Sequence, residues 1–75
     1  MLAYLLISVE KDKEQEIYEE VNGYEEVIGS YIIFGEWDII AKVKIENSEA
    51  LGTFILDKIR PLQGVSMTST LIVAK

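Results

Sequence analysis

Apolar side chains fill nearly every position of residues 3–9, with Tyr4, Leu5, Leu6, Ile7 and Val9 supplying bulk on both alternating sets. A strand covered on both sides has this pattern. Asp12 then has the chemistry of a helix cap, Gln15 three residues on completes a capping-box spacing, and Ile17, Val21 and Tyr24 fall on one side of the helix beginning at Lys13. Asn22-Gly23 ends it, and the carboxylates Glu14, Glu16, Glu19 and Glu20 form its solvated face. Residues 27–34 return to β-branched and aromatic types. After a turn at 35–37, residues 38–45 alternate Ile39, Ala41, Val43 and Ile45 against Ile40, Lys42 and Lys44, which completes a hairpin. Asn47 or Ser48 is placed to cap a second helix carrying Leu51, Phe54, Ile55, Ile59 and Leu62 at spacings of three and four, closed by Pro61 and Gly64. Residues 65–74 form a last strand, alternating Met67, Ser69, Leu71 and Val73 with Ser66, Thr68, Thr70 and Ile72.

The order strand, helix, strand, strand, helix, strand predicts an α+β, ferredoxin-like βαββαβ fold: one four-stranded antiparallel sheet with two helices on one face. Two helices cover only one side of such a sheet. The first strand nevertheless presents Tyr4 and Leu6 opposite Leu5 and Ile7, so the other side is too apolar to stand in water and calls for a second copy. The expected assembly is a dimeric α/β barrel.

Composition sharpens this picture. Seventy-five residues make one domain, 1–75, and a domain this small buries only about 60% of its unfolded surface. Cys and His are both absent, which removes disulfides and the usual zinc ligands, so association is the remaining source of stability. The 49% hydrophobic content points the same way. A net charge of -6 repels phosphate backbones and anionic membranes, so neither nucleic acid nor membrane is an expected partner. No signal peptide or spanning run is visible, and a cytoplasmic location is expected.

Several activities hosted by this fold lack their residues here. Iron-sulfur chemistry needs thiolates. RNA readers of this architecture stack bases on central-strand aromatics, where this chain has Ile40, Lys42 and Lys44. Acyl-phosphate hydrolysis wants an Arg after the first strand, but Arg60 ends the second helix. A cofactor-free oxygenase would need a base other than His. The Gly35-Glu36-Trp37-Asp38 turn stands out because an indole lies beside two carboxylates, and Thr68-Ser69-Thr70 set three hydroxyls in succession on the last strand. Carboxylates suit an ammonium, whereas backbone amides and hydroxyls suit a carboxylate; together they describe an amino acid. A plain hairpin turn and a solvated strand explain the same residues without a ligand.

The segment Gly35-Glu36-Trp37-Asp38-Ile39-Ile40-Ala41-Lys42-Val43 resembles the Gly-x-Tyr-Asp-hydrophobic signature of the effector domain of the Lrp/AsnC transcription regulators. Residues 58–65 and Thr68-Ser69-Thr70-Leu71-Ile72-Val73 are similar to that domain's closing helix and strand. The resemblance implies dimers that assemble into rings, often octameric, with an amino-acid effector between dimers and no cofactor. It implies that Gly35, Glu36, Trp37 and Asp38 line the effector cleft and that Thr68 and Thr70 face it. Trp37 replaces the family's usual Tyr. The family's helix-turn-helix domain is absent from residues 1–75, so the resemblance is to the stand-alone form of the domain. Non-enzymatic amino-acid binding is the expected role; an architectural partner of full-length regulators and a cofactor-free enzyme are the alternatives.

Overall fold

In a computed structural model that describes residues 1–75, alternation along the two central strands decides which side of the sheet is core. Strand β1 (Leu2–Val9) turns Ala3, Leu5 and Ile7 fully inward and leaves Tyr4 and Leu6 half-buried on the other side. It pairs antiparallel with β3 (Ile39–Lys44), from Leu2↔Lys44 to Ile7↔Ile39, so Ile39, Ala41 and Val43 join the same buried layer. Strands β2 (Val27–Ile32) and β4 (Val65–Ile72) flank this pair, giving the order β2-β3-β1-β4. Helix α1 (Glu14–Asn22) contributes Ile17 and Val21 to the core, and α2 (Ser48–Phe54) contributes Leu51 and Phe54. One cluster of 12 buried apolar residues results, in which burying each larger aliphatic stabilises by roughly 1.5–3 kcal/mol. The ferredoxin-like arrangement of four antiparallel strands with two helices on one face is therefore present.

The expected barrel is not. The sheet stays open, with β2 and β4 as two free edges. Closing a sheet on itself takes about eight strands before side chains fill the interior, and four twisted strands with helices on one face make an open layer.

Local boundaries also differ from expectation. Asp12 does not cap α1: it occupies a left-handed turn with φ 67, which Asp tolerates better than most residues. Lys13 takes the cap position without a side-chain bond, and Gln15 donates instead to Glu19 at 2.9 Å. Asn47, rather than Ser48, caps α2 by accepting from the Ala50 amide at 2.8 Å. That helix continues into a π-helical stretch, Ile55–Ile59, closed by the Arg60 amide on the Ile55 carbonyl at 2.9 Å. The wider turn keeps both Ile55 and Ile59 buried. Strand β2 stops at Ile32 and β4 at Ile72, each two residues short of its apolar run. No helix is long and apolar enough to cross a membrane.

Candidate functional site

The link between β2 and β3 turns on Gly35, whose φ of 143 lies where a side chain would be strained. Three hydrogen bonds, all made by Asp38, brace the end of this link. Its amide donates to the Ile7 carbonyl at 3.0 Å, its carbonyl accepts from the Ile33 amide at 2.8 Å, and its Oδ2 accepts from the Val9 amide at 2.8 Å. The last bond has a structural cause. The β1–β3 ladder ends at Ile7↔Ile39, which leaves the Val9 amide beyond its last pair, and the carboxylate supplies the missing acceptor. One Asp38 oxygen is thus committed to the fold, leaving Oδ1 to face outward.

Around this brace the other turn residues differ in exposure. Glu36 is exposed, Trp37 is half-buried, and Phe34 stands fully in solvent at 103% relative exposure. On β4, Thr68 pairs with Ile7 and Thr70 with Leu5, which puts both on the helix side of the sheet; Ser69, opposite Leu6, faces away. Ile7 also pairs with Ile39, the first residue of β3. The start of β3 and Thr68 therefore share one end of the sheet, separated by β1, a span of roughly 10 Å at two strand spacings. Thr70 lies one step further along, exposed at the sheet edge.

None of the four concavities of the chain is lined by these turn or β4 residues. The largest, ≈ 660 Å³, lies beside α2 and is lined by Glu26, Glu46, Glu49, Asp57 and Lys58 among others. There the Tyr24 hydroxyl donates to the Lys58 carbonyl at 2.9 Å, the Tyr24 ring meets Phe54 edge-on at 5.8 Å, and Lys58 Nζ lies 3.3 Å from Glu26 Oε2. These contacts tie the α1–β2 link to the π-helical stretch, which gives them a structural role. Burial, reinforced by Glu20 and partly opposed by Lys58, raises the Tyr24 phenol above its ordinary 10.0. No group of His, Cys, Asp or Glu is placed to hold a metal ion. Sequence reasoning missed the Val9 amide as the partner of Asp38, because the point at which two strands stop pairing leaves no mark on either one.

Comparison with known proteins agrees across sequence and structure. Residues 2–75 match the family model described as the Lrp/AsnC ligand binding domain. The HTH-type transcriptional regulator FL11 of Pyrococcus abyssi is 40% identical over 75 residues, covering 100% of this chain and 49% of FL11. The chain thus spans about half the length of the curated relatives it matches. Among solved structures, hypothetical protein PHS023 from Pyrococcus horikoshii superposes with a TM-score of 0.90 at 36% identity, over 96% of this chain and 87% of that one. The transcriptional regulator NMB0573 of Neisseria meningitidis, solved as an L-Met complex, shares the fold with a TM-score of 0.89 at 24% identity, over 99% of this chain and 49% of that one. This chain belongs to the Lrp/AsnC family, whose non-catalytic ligand-binding domain it carries from residue 2 to residue 75.

Proposed function

We propose that this domain binds a free amino acid and associates with copies of itself, holding the effector between copies at the Gly35–Asp38 turn. The observation that carries this reading is the turn's position: it is braced from below by Asp38, yet no cavity of a single chain encloses it. A neighbouring copy supplies the missing wall. Glu36 and the outward Asp38 oxygen receive the ligand's ammonium, the half-buried Trp37 contacts its side chain, and the Thr68 and Thr70 hydroxyls of an adjoining copy take its carboxylate. The helix-free face, where Ile28, Tyr31, Met67 and Leu71 are all more than half exposed, is the surface through which copies pair, and pairs assemble into rings. Such a module works in the cytoplasm, where free amino acids report metabolic state. A fold neighbour in complex with L-Met makes methionine the first ligand to test.

Calorimetry over the twenty amino acids, with sedimentation run in parallel, tests this. Binding of at least one is expected, weakened about tenfold or more by Glu36→Ala through loss of a charge-assisted contact. No heat with any of them would overturn the proposal. The 40% identity to FL11 favours a second reading, in which the same face pairs with regulators that carry this domain. Mixed species in native mass spectra of this protein with such a regulator, formed equally with and without amino acids, would favour that reading.

A further inference from the structure

Asn22-Gly23 closes α1 on the helix-covered side of the sheet, away from the surface through which copies pair. The backbone does not call for glycine there. Gly23 has φ -83 and ψ -10, ordinary helical values, whereas Gly35 and Gly64 take positive φ. A Cβ at Gly23 would come no nearer than 3.4 Å, to the Glu20 carbonyl oxygen, so alanine fits. What glycine changes is the chemistry of its neighbour. With no side chain to obstruct it, the Gly23 nitrogen can close on the Asn22 side-chain amide more readily than any other residue's nitrogen could.

The folded chain holds these two groups apart. The Gly23 amide donates to the Glu20 carbonyl at 3.1 Å, and Asn22 Oδ1 accepts from the Ser30 hydroxyl at 2.8 Å. Ser30 lies on β2 at 7% exposure, the one buried polar side chain of the chain, so Asn22 is fastened to the sheet and not to another surface group. The end of a helix is nonetheless the part that opens most readily. Opening it releases both bonds.

We propose that Asn22 is a deamidation site latched by Ser30, modified without an enzyme whenever the last turn of α1 opens. In the opened turn the Gly23 nitrogen adds to Asn22 Cγ and forms the new C–N bond of a cyclic imide. The side-chain nitrogen leaves as ammonia, taking the proton that Gly23 gives up. Water then adds to either imide carbonyl and breaks its C–N bond, giving aspartate or, with the backbone rerouted through the side chain, isoaspartate. Either product adds one negative charge to a chain already at -6, at the negative end of the α1 dipole and among Glu19, Glu20, Glu25 and Glu26. The isoaspartyl form also lengthens the backbone at the helix end, so the bond to Ser30 does not re-form. Copies whose α1 has opened are thereby marked for good.

Peptide mass spectrometry of the full chain, incubated in mildly alkaline buffer and in urea that unfolds it, tests this. Asn22 is expected to convert in buffer, and about tenfold or more faster in urea, where the turn stays open. Ser30→Ala should speed conversion in buffer about three- to tenfold, the weight of one ordinary hydrogen bond on the opening equilibrium, and leave the rate in urea unchanged. Asn47→Ala loosens α2 instead and should leave the Asn22 rate in buffer as it is, which separates opening of α1 from unfolding of the whole chain. Gly23→Ala should stop conversion in both conditions, with thermal melting confirming the fold. Equal rates in buffer and urea, no conversion of Asn22 in buffer, no effect of Ser30→Ala, or Asn47→Ala acting as strongly as Ser30→Ala would each overturn the proposal.

Discussion

Replacing Asp38 by Ala is expected to destabilise the fold, and not only to weaken a ligand. The carboxylate accepts from the Val9 amide at 2.8 Å in a partly buried position, and a hydrogen bond to a charged group contributes about 1.5–3 kcal/mol. Removing it strands the Val9 amide just beyond the end of the β1–β3 ladder, which stops at Ile7↔Ile39, with no ladder partner to take over. For a domain of this size, roughly 2 kcal/mol lowers the melting temperature by about 8–16 °C. Asp38→Asn keeps an oxygen acceptor at the same reach, so it should lose only about 1 kcal/mol. Urea denaturation of the three proteins at one protein concentration gives the comparison, read as a change in midpoint at constant slope. If Asp38→Ala lies within about 0.5 kcal/mol of the parent, the range of an ordinary surface change, the bracing role assigned to this carboxylate is wrong.

Three further outcomes are expected. Asn47→Ala removes the cap on the Ala50 amide and should cost about 1 kcal/mol in the same denaturation assay. Gly64→Ala places a methyl group at φ 107, with its Cβ 3.2 Å from Lys13 Cγ; it should destabilise by about 1 kcal/mol or more, measured by thermal melting. The raised Tyr24 pKa means the folded state favours the neutral phenol. Its contribution is complete below the unfolded value near 10 and is lost as pH climbs through the higher folded value, so Tyr24→Phe should flatten the alkaline decline in stability seen in urea titrations.

Most of the architecture was legible because period-two alternation in residues 3–9 and 38–45 and the spacing of Leu51, Phe54, Ile55 and Ile59 are strong local signals. What escaped depends on pairs of segments. Asp12 has the chemistry of a helix cap, but the chain needs a left-handed residue there to turn from β1 into α1, and the turn takes precedence. Leu51, Phe54, Ile55 and Ile59 fit an α-helix until Arg60 bonds back to Ile55 and widens the last turn. The open edges of the sheet contradict a barrel because closure depends on strand number, a property of the whole layer. At the candidate site the residue types of the Gly35 turn were legible, whereas the partner of Asp38 depends on where the β1–β3 ladder ends, a property of two strands together.

The Asp38 brace has a consequence for the segment that leads into α1. Val9 is moored to Asp38, Glu10 donates from its amide to the Gly64 carbonyl at 2.7 Å, and Lys13 donates back to Glu10 at 3.1 Å, so residues 9–13 are tied from both flanks just where the first helix takes root. A ligand that drew the Asp38 carboxylate toward itself would slacken one of those moorings. Arrival of a guest at the hairpin tip would then be felt at the foot of the helix, on the helix-covered side of the sheet.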